Sequence, residues 1–349
     1  MKEAVLYSEI GDGRVKCTAC WRYCILKPEQ TGFCGVRTNI GGKLYLSVYG
    51  LVSAMHVDPI EKKPVLHMFP NSRILSLSTT GCNYACAYCQ NWDISQRRKA
   101  EGTEISPEDV VDEALRLKCR GIAYTYNEPT IFMEFAHDIG VIARKKGLIN
   151  IFVTNGFETD ESISMARDFL TAATVDFKGN AGTQFYRKYI SVPSAEPIYA
   201  TLEGLKKAGI HLEITDLVLP GIGDNTDELR TMLGRILDSV GNAVPIEFLR
   251  FHPDFKLQDL PQTPVRTLEQ HHDIALEMGF KYSYVGNVPG HRFENTYCPG
   301  CGRVVVERNI FRTTKIMLTT DGKCVYCGYD TGIILDDGKP ASLAGIYEA

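Results

Sequence analysis

Between about residues 72 and 290 the chain alternates two hydrophobic rhythms. Short runs rich in β-branched and aromatic side chains are followed by segments whose apolar positions recur every three or four residues. The first rhythm predicts strands over 73–80, 121–127, 150–155, 172–178, 211–219, 246–251 and 281–286, and the second predicts helices between them. Ser106-Pro107-Glu108-Asp109 reads as an N-cap, a proline at the first helical position and acids in the first turn of a helix reaching about 118. Asn225-Thr226-Asp227-Glu228 opens another that runs through 237. Such uninterrupted alternation predicts an α/β fold, a partial or complete (β/α) barrel rather than a doubly wound sheet. The expected organisation is an N-terminal Cys-rich extension (1–71), the barrel (72–291) and a small zinc-ribbon-like C-terminal module (292–349).

In parallel α/β folds the reactive groups gather beyond the carboxyl ends of the strands. Here those ends read Thr79-Thr80-Gly81-Cys82, Tyr126-Asn127-Glu128-Pro129, Thr154-Asn155-Gly156, Asp176-Phe177-Lys178, Leu219-Pro220-Gly221, Phe251-His252-Pro253 and Gly286-Asn287. Glycine, proline and polar residues are ordinary where a strand turns into a loop. A cysteine cluster at the first of these ends is not. Tyr124 and Tyr126 alternate on the second strand and are expected to share a face, lining the cavity or packing within it.

Composition narrows the class. With 349 residues, 44% apolar and 23% charged, the chain is globular, which excludes disorder, collagen-like repeats and coiled coil as the dominant state. Lys+Arg number 38 against 42 Asp+Glu, a net charge of −4, so no polybasic face for nucleic acid or an anionic membrane is expected. No apolar run reaches membrane-spanning length, and Met1-Lys2-Glu3-Ala4 does not open a signal peptide, so a cytoplasmic location is expected.

Twelve cysteines are many for a compartment that keeps thiols reduced. Eleven fall into three clusters: Cys17, Cys20, Cys24 and Cys34; Cys82, Cys86 and Cys89; and Cys298, Cys301, Cys324 and Cys327. Cys119 stands alone and reads as a small core residue. Intervals of two and three residues suit metal coordination better than loop stapling. The loop Cys82-Asn83-Tyr84-Ala85-Cys86-Ala87-Tyr88-Cys89 offers three thiolates, one fewer than a closed zinc site or an ordinary cubane. A [4Fe–4S] cluster held by three cysteines keeps one iron free to chelate an amine and a carboxylate, as in S-adenosylmethionine. Reduced, it can pass one electron to the sulfonium and break its C–S bond, leaving a 5′-deoxyadenosyl radical that abstracts hydrogen from a substrate.

With Tyr88 before its last cysteine, this loop resembles the signature of the radical S-adenosylmethionine (radical SAM) superfamily, whose members fold as partial or full (β/α) barrels and bind the cluster after the first strand. Further motifs extend the likeness: Cys17-Thr18-Ala19-Cys20-Trp21-Arg22-Tyr23-Cys24, Gly32-Phe33-Cys34-Gly35-Val36-Arg37, Cys89-Gln90-Asn91-Trp92, Val153-Thr154-Asn155-Gly156 and Glu294-Asn295-Thr296-Tyr297-Cys298-Pro299-Gly300-Cys301. Together they are similar to the AmmeMemoRadiSam system enzymes, relatives of the pyruvate formate-lyase activating enzymes. The resemblance implies Cys82, Cys86 and Cys89 as cluster ligands. Glu128, retained from a Gly-Gly-Glu-Pro motif whose glycines are replaced, is implied as the partner of the cofactor ammonium, beside Asn127. Lys178 is implied toward the cofactor carboxylate, with Asp176 orienting it or the ribose. Asn155 belongs to a segment that matches except for Val153 in the acidic position, so the cation site of the activating enzymes is not carried over. His252 falls near the ribose and adenine, with the structural role of a strand-end histidine equally open. No catalytic residue is singled out.

The resemblance also implies an electron donor and partner proteins of the Memo-like and AMMECR1-like types. The substrate stays open between a small molecule, a residue on a partner protein and a glycyl-radical enzyme. The paired C-x2-C-G knuckles at Cys298/Cys301 and Cys324/Cys327 predict a structural zinc site on a hairpin, with an auxiliary iron–sulfur cluster as competitor. The irregular first quartet suits zinc or a second [4Fe–4S] cluster, the absence of a ferredoxin-type Cys-Pro run tilting it toward zinc. A reading of another class, a non-catalytic zinc scaffold, would make all three clusters structural.

Overall fold

All seven expected strands form, and they lie side by side in chain order. The structure, a computed structural model, describes residues 1–335. Its main sheet has eight strands: β1 (Ala54–Pro59), β2 (Arg73–Ser78), β3 (Gly121–Tyr124), β4 (Ile149–Thr154), β5 (Ala172–Lys178), β6 (His211–Val218), β7 (Ile246–Arg250) and β8 (Ser283–Gly286). From β2 to β8 every neighbouring pair is parallel. β1 joins β2 antiparallel, with Ala54 opposite Ser78 and Pro59 opposite Arg73. Among the described residues β1 and β8 are the two edges of this sheet, so the barrel is partial. The sheet also begins before residue 72, at a strand, Ala54-Met55-His56-Val57-Asp58-Pro59, that lacks a β-branched and aromatic run.

The helices form where local chemistry calls for them. Ser106 Oγ accepts the Asp109 N–H at 3.1 Å and opens α1 (Pro107–Arg116). Asn225 Oδ1 accepts from the N–H groups of Asp227 and Glu228 at 2.9 and 3.0 Å and opens α5 (Thr226–Val240), after α2 (Met133–Lys145), α3 (Asp160–Ala166) and α4 (Glu196–Lys207). α5 buries Leu229, Met232, Leu233 and Ile236, the one-sided spacing of a helix covering a sheet. The solitary Cys119 is buried just past α1.

Both ends of the chain carry small antiparallel sheets. In the N-terminal region Lys2–Glu3 and Arg37–Ile40 flank Lys43–Leu46, and Tyr7–Glu9 and Ile25–Leu26 flank Val15–Cys17. At the other end Val304–Asn309 and Arg312–Ile316 form the expected hairpin, with Thr296–Tyr297 alongside. Arg308 reaches from it to the Leu66 carbonyl at 2.8 Å. The tail of the C-terminal segment, 336–349, lies outside the described residues.

The N-terminal region is fastened to α2 by a buried ion pair. Arg37 and Glu134 are each 2% exposed. The guanidinium donates to both carboxylate oxygens, Nη1 to Oε1 at 3.1 Å, and through Nε to the Ile131 carbonyl at 2.9 Å. Burial alone would raise the Glu134 carboxyl, but the facing guanidinium reverses this and holds it low. Removing one partner leaves the other charge buried and uncompensated. Glu134→Ala is therefore expected to cost about 3–5 kcal/mol in a denaturant-unfolding measurement, while the double change Arg37→Met/Glu134→Leu costs much less than the sum of its parts.

Candidate active site

The cysteine loop leaves β2 through Gly81, whose φ is +94°. A Cβ there would lie 2.4 Å from the Cys34 carbonyl oxygen, so the N-terminal region sits directly on the loop's first turn. The loop is held on three sides. Gly81 N–H donates to the Ile94 carbonyl, those of Ala85 and Ala87 donate to the Ile190 and Tyr189 carbonyls, and Lys256 N–H donates to the Ala87 carbonyl, all at 2.8–3.0 Å. Cys82 Sγ accepts the Tyr84 N–H at 3.4 Å, and Cys89 Sγ meets Ser95 Oγ at 3.1 Å.

Among the described residues, three or more metal-type ligand atoms lie mutually within 4.8 Å only at Cys298, Cys301, Cys324 and Cys327. The sulfurs of Cys82, Cys86 and Cys89 are therefore more widely spaced than those of the C-terminal four. Burial pushes the Cys86 thiol up to about 12 and raises Cys82 and Cys89 as well, with Lys178 pulling Cys86 and Cys89 the other way. Binding of a metal by these thiols as thiolates would release protons.

A cavity of about 420 Å³ lies over the carboxyl ends of the strands, within the range of small-molecule sites. Its wall contains all three cysteines of the loop together with Asn127, Glu128, Asn155, Asp176, Lys178 and His252. Asp176 and Lys178 are in contact as an ion pair, and Asp176 Oδ1 accepts the Thr215 hydroxyl at 2.7 Å. Burial lowers Lys178, but Asp176 and then Cys86 more than restore it, so it remains a cation. Asn127 Nδ2 donates to the carbonyls of Thr79 and Gly81 at 2.7 and 2.9 Å, and Asn155 Nδ2 donates to Asn83 Oδ1 at 2.7 Å. The Oδ1 atoms of Asn127 and Asn155 are left buried without a hydrogen-bond partner. Two unsatisfied acceptors beside an ion pair suit a ligand that brings both an ammonium and a carboxylate. His252 stands at the rim, its Nδ1 3.0 Å from Asp254.

Glu128, in the cavity wall, is also held by neighbouring donors. Its Oε1 accepts from Thr130 N–H, Thr130 Oγ1 and Thr154 Oγ1 at 3.0, 2.6 and 3.0 Å, and its Oε2 accepts the Asn155 N–H at 2.8 Å. These contacts tie the β3 and β4 loops together, Oε2 with its single donor keeps room for another, and the Asn127 and Asn155 amide oxygens beside it have no partner. Behind it sits Glu158, whose two carboxylate oxygens are buried without a hydrogen-bond partner. Burial, then the facing Glu128, push Glu158 up to about 8.

Tyr124 and Tyr126 do not share a face. β3 ends at Tyr124, which packs edge-on against Phe152 and Phe169 and donates to Asn150 Oδ1 at 3.0 Å. Tyr126 has a φ of +67°, which breaks the alternation and turns its ring into the cavity. That is the left-handed backbone a glycine of the related motif would favour. Tyr126 is held there by its hydroxyl on Asp58 Oδ2 at 2.6 Å and by Lys63, 4.5 Å from its ring centroid. Lys63 also pairs with Asp58 at 2.8 Å, and it lines the cavity with Lys62. These three residues from β1 and its following turn were not visible as site residues in sequence, because only strand pairing brings them to the barrel mouth.

The outer quartets differ in geometry. Cys298–Cys327 and Cys301–Cys324 are 3.6 and 3.8 Å apart, close to the ligand spacing of a tetrahedral site with metal–sulfur bonds of about 2.3 Å. Cys17, Cys20, Cys24 and Cys34 together line a separate small cavity against Asn83.

The model of the Radical SAM superfamily matches residues 76–236. The chain is 44% identical over 338 residues to the uncharacterized protein MJ0808 of Methanocaldococcus jannaschii, covering 96% of this chain and 100% of that one. It is 28% identical to the pyruvate formate-lyase-activating enzyme of Streptococcus mutans, over 52% of this chain and 72% of that one. It is 25% identical to the biotin synthase of Bordetella pertussis, over 51% of this chain and 54% of that one.

Two outcomes follow from the geometry. Gly81→Ala forces a Cβ onto the Cys34 carbonyl at a left-handed backbone position, and is expected to destabilise the chain by more than about 1 kcal/mol and to lower iron retention. Anaerobic thermal unfolding with iron analysis checks both. Glu158 binds its proton more tightly folded, at about 8, than at its ordinary 4.5, so folding stability falls as pH rises through that window. Glu158→Gln is expected to flatten the fall in thermal midpoint between pH 6 and 8, a slope of up to about 1.4 kcal/mol per pH unit from this one group. Asp216 and Glu247, raised by burial to about 7 and about 8, keep part of the slope in the variant. Equal slopes would show that Glu158 ionises freely in the folded chain.

Proposed function

We propose, on the match of residues 76–236 to the Radical SAM superfamily, that Cys82, Cys86 and Cys89 hold a [4Fe–4S] cluster at which S-adenosylmethionine is reductively cleaved. The observation that carries this is the convergence on one 420 Å³ cavity of three thiols, a Lys–Asp pair and two unsatisfied amide oxygens. When bound, the cluster and cofactor supply the hard chemistry: an electron enters the sulfonium, its C–S bond breaks, and methionine and a 5′-deoxyadenosyl radical result.

The chain's own residues bind and orient. Lys178, its charge maintained by Asp176, faces the cofactor carboxylate. Asn127 and Asn155 accept from its ammonium, and Glu128 keeps those two loops in register. Leu217, Leu249 and Phe251 supply an apolar wall for the adenosine, with His252 at its outer edge. Hydrogen is then taken from a substrate admitted at the mouth, past Tyr126 and Lys63.

At the finer level we assign the chain to the AmmeMemoRadiSam type, with a small molecule or a residue of a Memo-like or AMMECR1-like partner as substrate and a low-potential protein as electron donor. The motifs that flank the cysteine clusters support this, as do the metal-type quartets on both sides of the barrel. The C-terminal quartet is assigned as structural zinc, for which its 3.6 and 3.8 Å sulfur pairs speak. A second reading, activation of a glycyl-radical enzyme, rests on the similarity to the Streptococcus mutans activating enzyme. A glycyl-radical EPR doublet on a co-encoded protein would favour it.

The anaerobic, reconstituted protein reduced with dithionite is expected to convert S-adenosylmethionine into 5′-deoxyadenosine and methionine, and Cys86→Ala to abolish this. A protein with no reducible cluster and zinc alone would instead be a zinc scaffold. Lys178→Met is expected to weaken cofactor binding roughly tenfold to a hundredfold, as loss of a charge-assisted contact does, with the cluster's absorbance unchanged.

A further inference from the structure

We propose that Cys17, Cys20, Cys24 and Cys34 hold a second [4Fe–4S] cluster, not zinc. The argument is one of size. A zinc ion bound by four thiolates sits about 2.3 Å from each sulfur, which brings the sulfurs to about 3.8 Å from one another and leaves nothing between them but the ion. The C-terminal quartet has that form, with sulfur pairs at 3.6 and 3.8 Å and all four atoms within 4.8 Å. The N-terminal quartet does not. Every choice of three of its sulfurs contains a separation above 4.8 Å, although all four side chains face the same enclosed cavity. Four thiols that face one cavity yet stand too far apart to share one ion suit a cubane core, whose ligand sulfurs are more widely spaced than those of a zinc site.

The surroundings agree with a permanent anionic occupant. None of the four cysteines is in a disulfide, and Cys17, Cys20 and Cys34 are buried. Arg22 and Arg37 both line the cavity, and backbone N–H groups of Ala19, Arg22 and Val36 are directed at the sulfurs of Cys17, Cys20 and Cys34. Such N–H donors and nearby cations are the means by which a protein stabilises and tunes a thiolate-bound cluster. The site is also built into the barrel. Arg22 donates through Nε to the Asn83 carbonyl and through Nη2 to the Ser191 carbonyl at 2.8 Å, and Asn83, next to Cys82, belongs to the wall of the cavity.

The inference goes beyond the proposed reaction and does not depend on it, since its test removes the other cluster. The full chain carrying Cys82→Ala, Cys86→Ala and Cys89→Ala, purified anaerobically, is expected to retain about four iron, about four acid-labile sulfide and about one zinc per chain, and to give a reduced-cluster EPR signal. About two zinc and no iron would overturn the proposal, and so would two iron, which means a diiron cluster. Should that variant fail to fold, the unaltered protein decides the matter: about eight iron with one zinc supports the second cluster, and about four iron with two zinc refutes it. Loss of half the iron in Cys17→Ser/Cys34→Ser locates the extra four. Absence of S-adenosylmethionine cleavage would count against the proposed function and leave these metal counts untouched.

Discussion

The contact between Gly81 and the Cys34 carbonyl is the constraint on which the site depends. A strand must end, turn and release three cysteines toward the barrel mouth, and the N-terminal region must close over that turn. Both are met by one residue without a side chain, at φ +94° and with no space for a Cβ. From there the links spread outward: the Gly81 carbonyl accepts from Asn127, the Gly81 N–H donates to Ile94, and Arg22 reaches the carbonyl of Asn83. The buried Arg37–Glu134 pair holds the same N-terminal region against α2 from the other side. Two cysteine sets far apart in sequence thus become walls of adjoining cavities.

Burial then decides the charge state of everything near them. The barrel interior raises Glu128, Glu158, Asp216 and Glu247 and, without a bound metal, the Cys82 and Cys86 thiols as well. Against that background the Lys178–Asp176 pair is a charge kept on purpose by mutual contact, at the point where a zwitterionic ligand would need it. Near the rim, Asp58 is also kept ionised. Burial would raise it, but Lys62, Lys63 and the Tyr126 hydroxyl hold it well below the usual carboxylate range. Where charge is kept, as at Lys178–Asp176, Asp58 and the buried Arg37–Glu134, it is kept by an opposite partner.

The cysteine spacings, the seven strand runs and the caps at Ser106 and Asn225 were legible because each is a local pattern. A helix start or a C-x3-C-x2-C loop is decided by neighbours a few residues away. The residues that gather at the strand ends could be named for the same reason, since parallel α/β topology sends every such end to one side. What local pattern could not show was how those residues divide the work. Glu128 is tied to Thr130, Thr154 and Asn155 as well as facing the cavity, and Asn127 and Asn155 add buried acceptors without a partner. Tyr126 looked like a strand residue and is a left-handed turn.

The sequence by itself determined the fold class, the cysteine sets and the side of the sheet on which chemistry would occur, because periodicity and ligand spacing are written in contiguous residues. Tertiary structure decided that the barrel is open, that β1 adds Asp58 and Lys63 to its mouth, and that the outer quartets differ in size. Spacing along a chain limits which ligands can meet but does not set the distance between sulfurs contributed by separate turns. That distance follows from how Gly81, Asn83 and Arg22 bring those turns together.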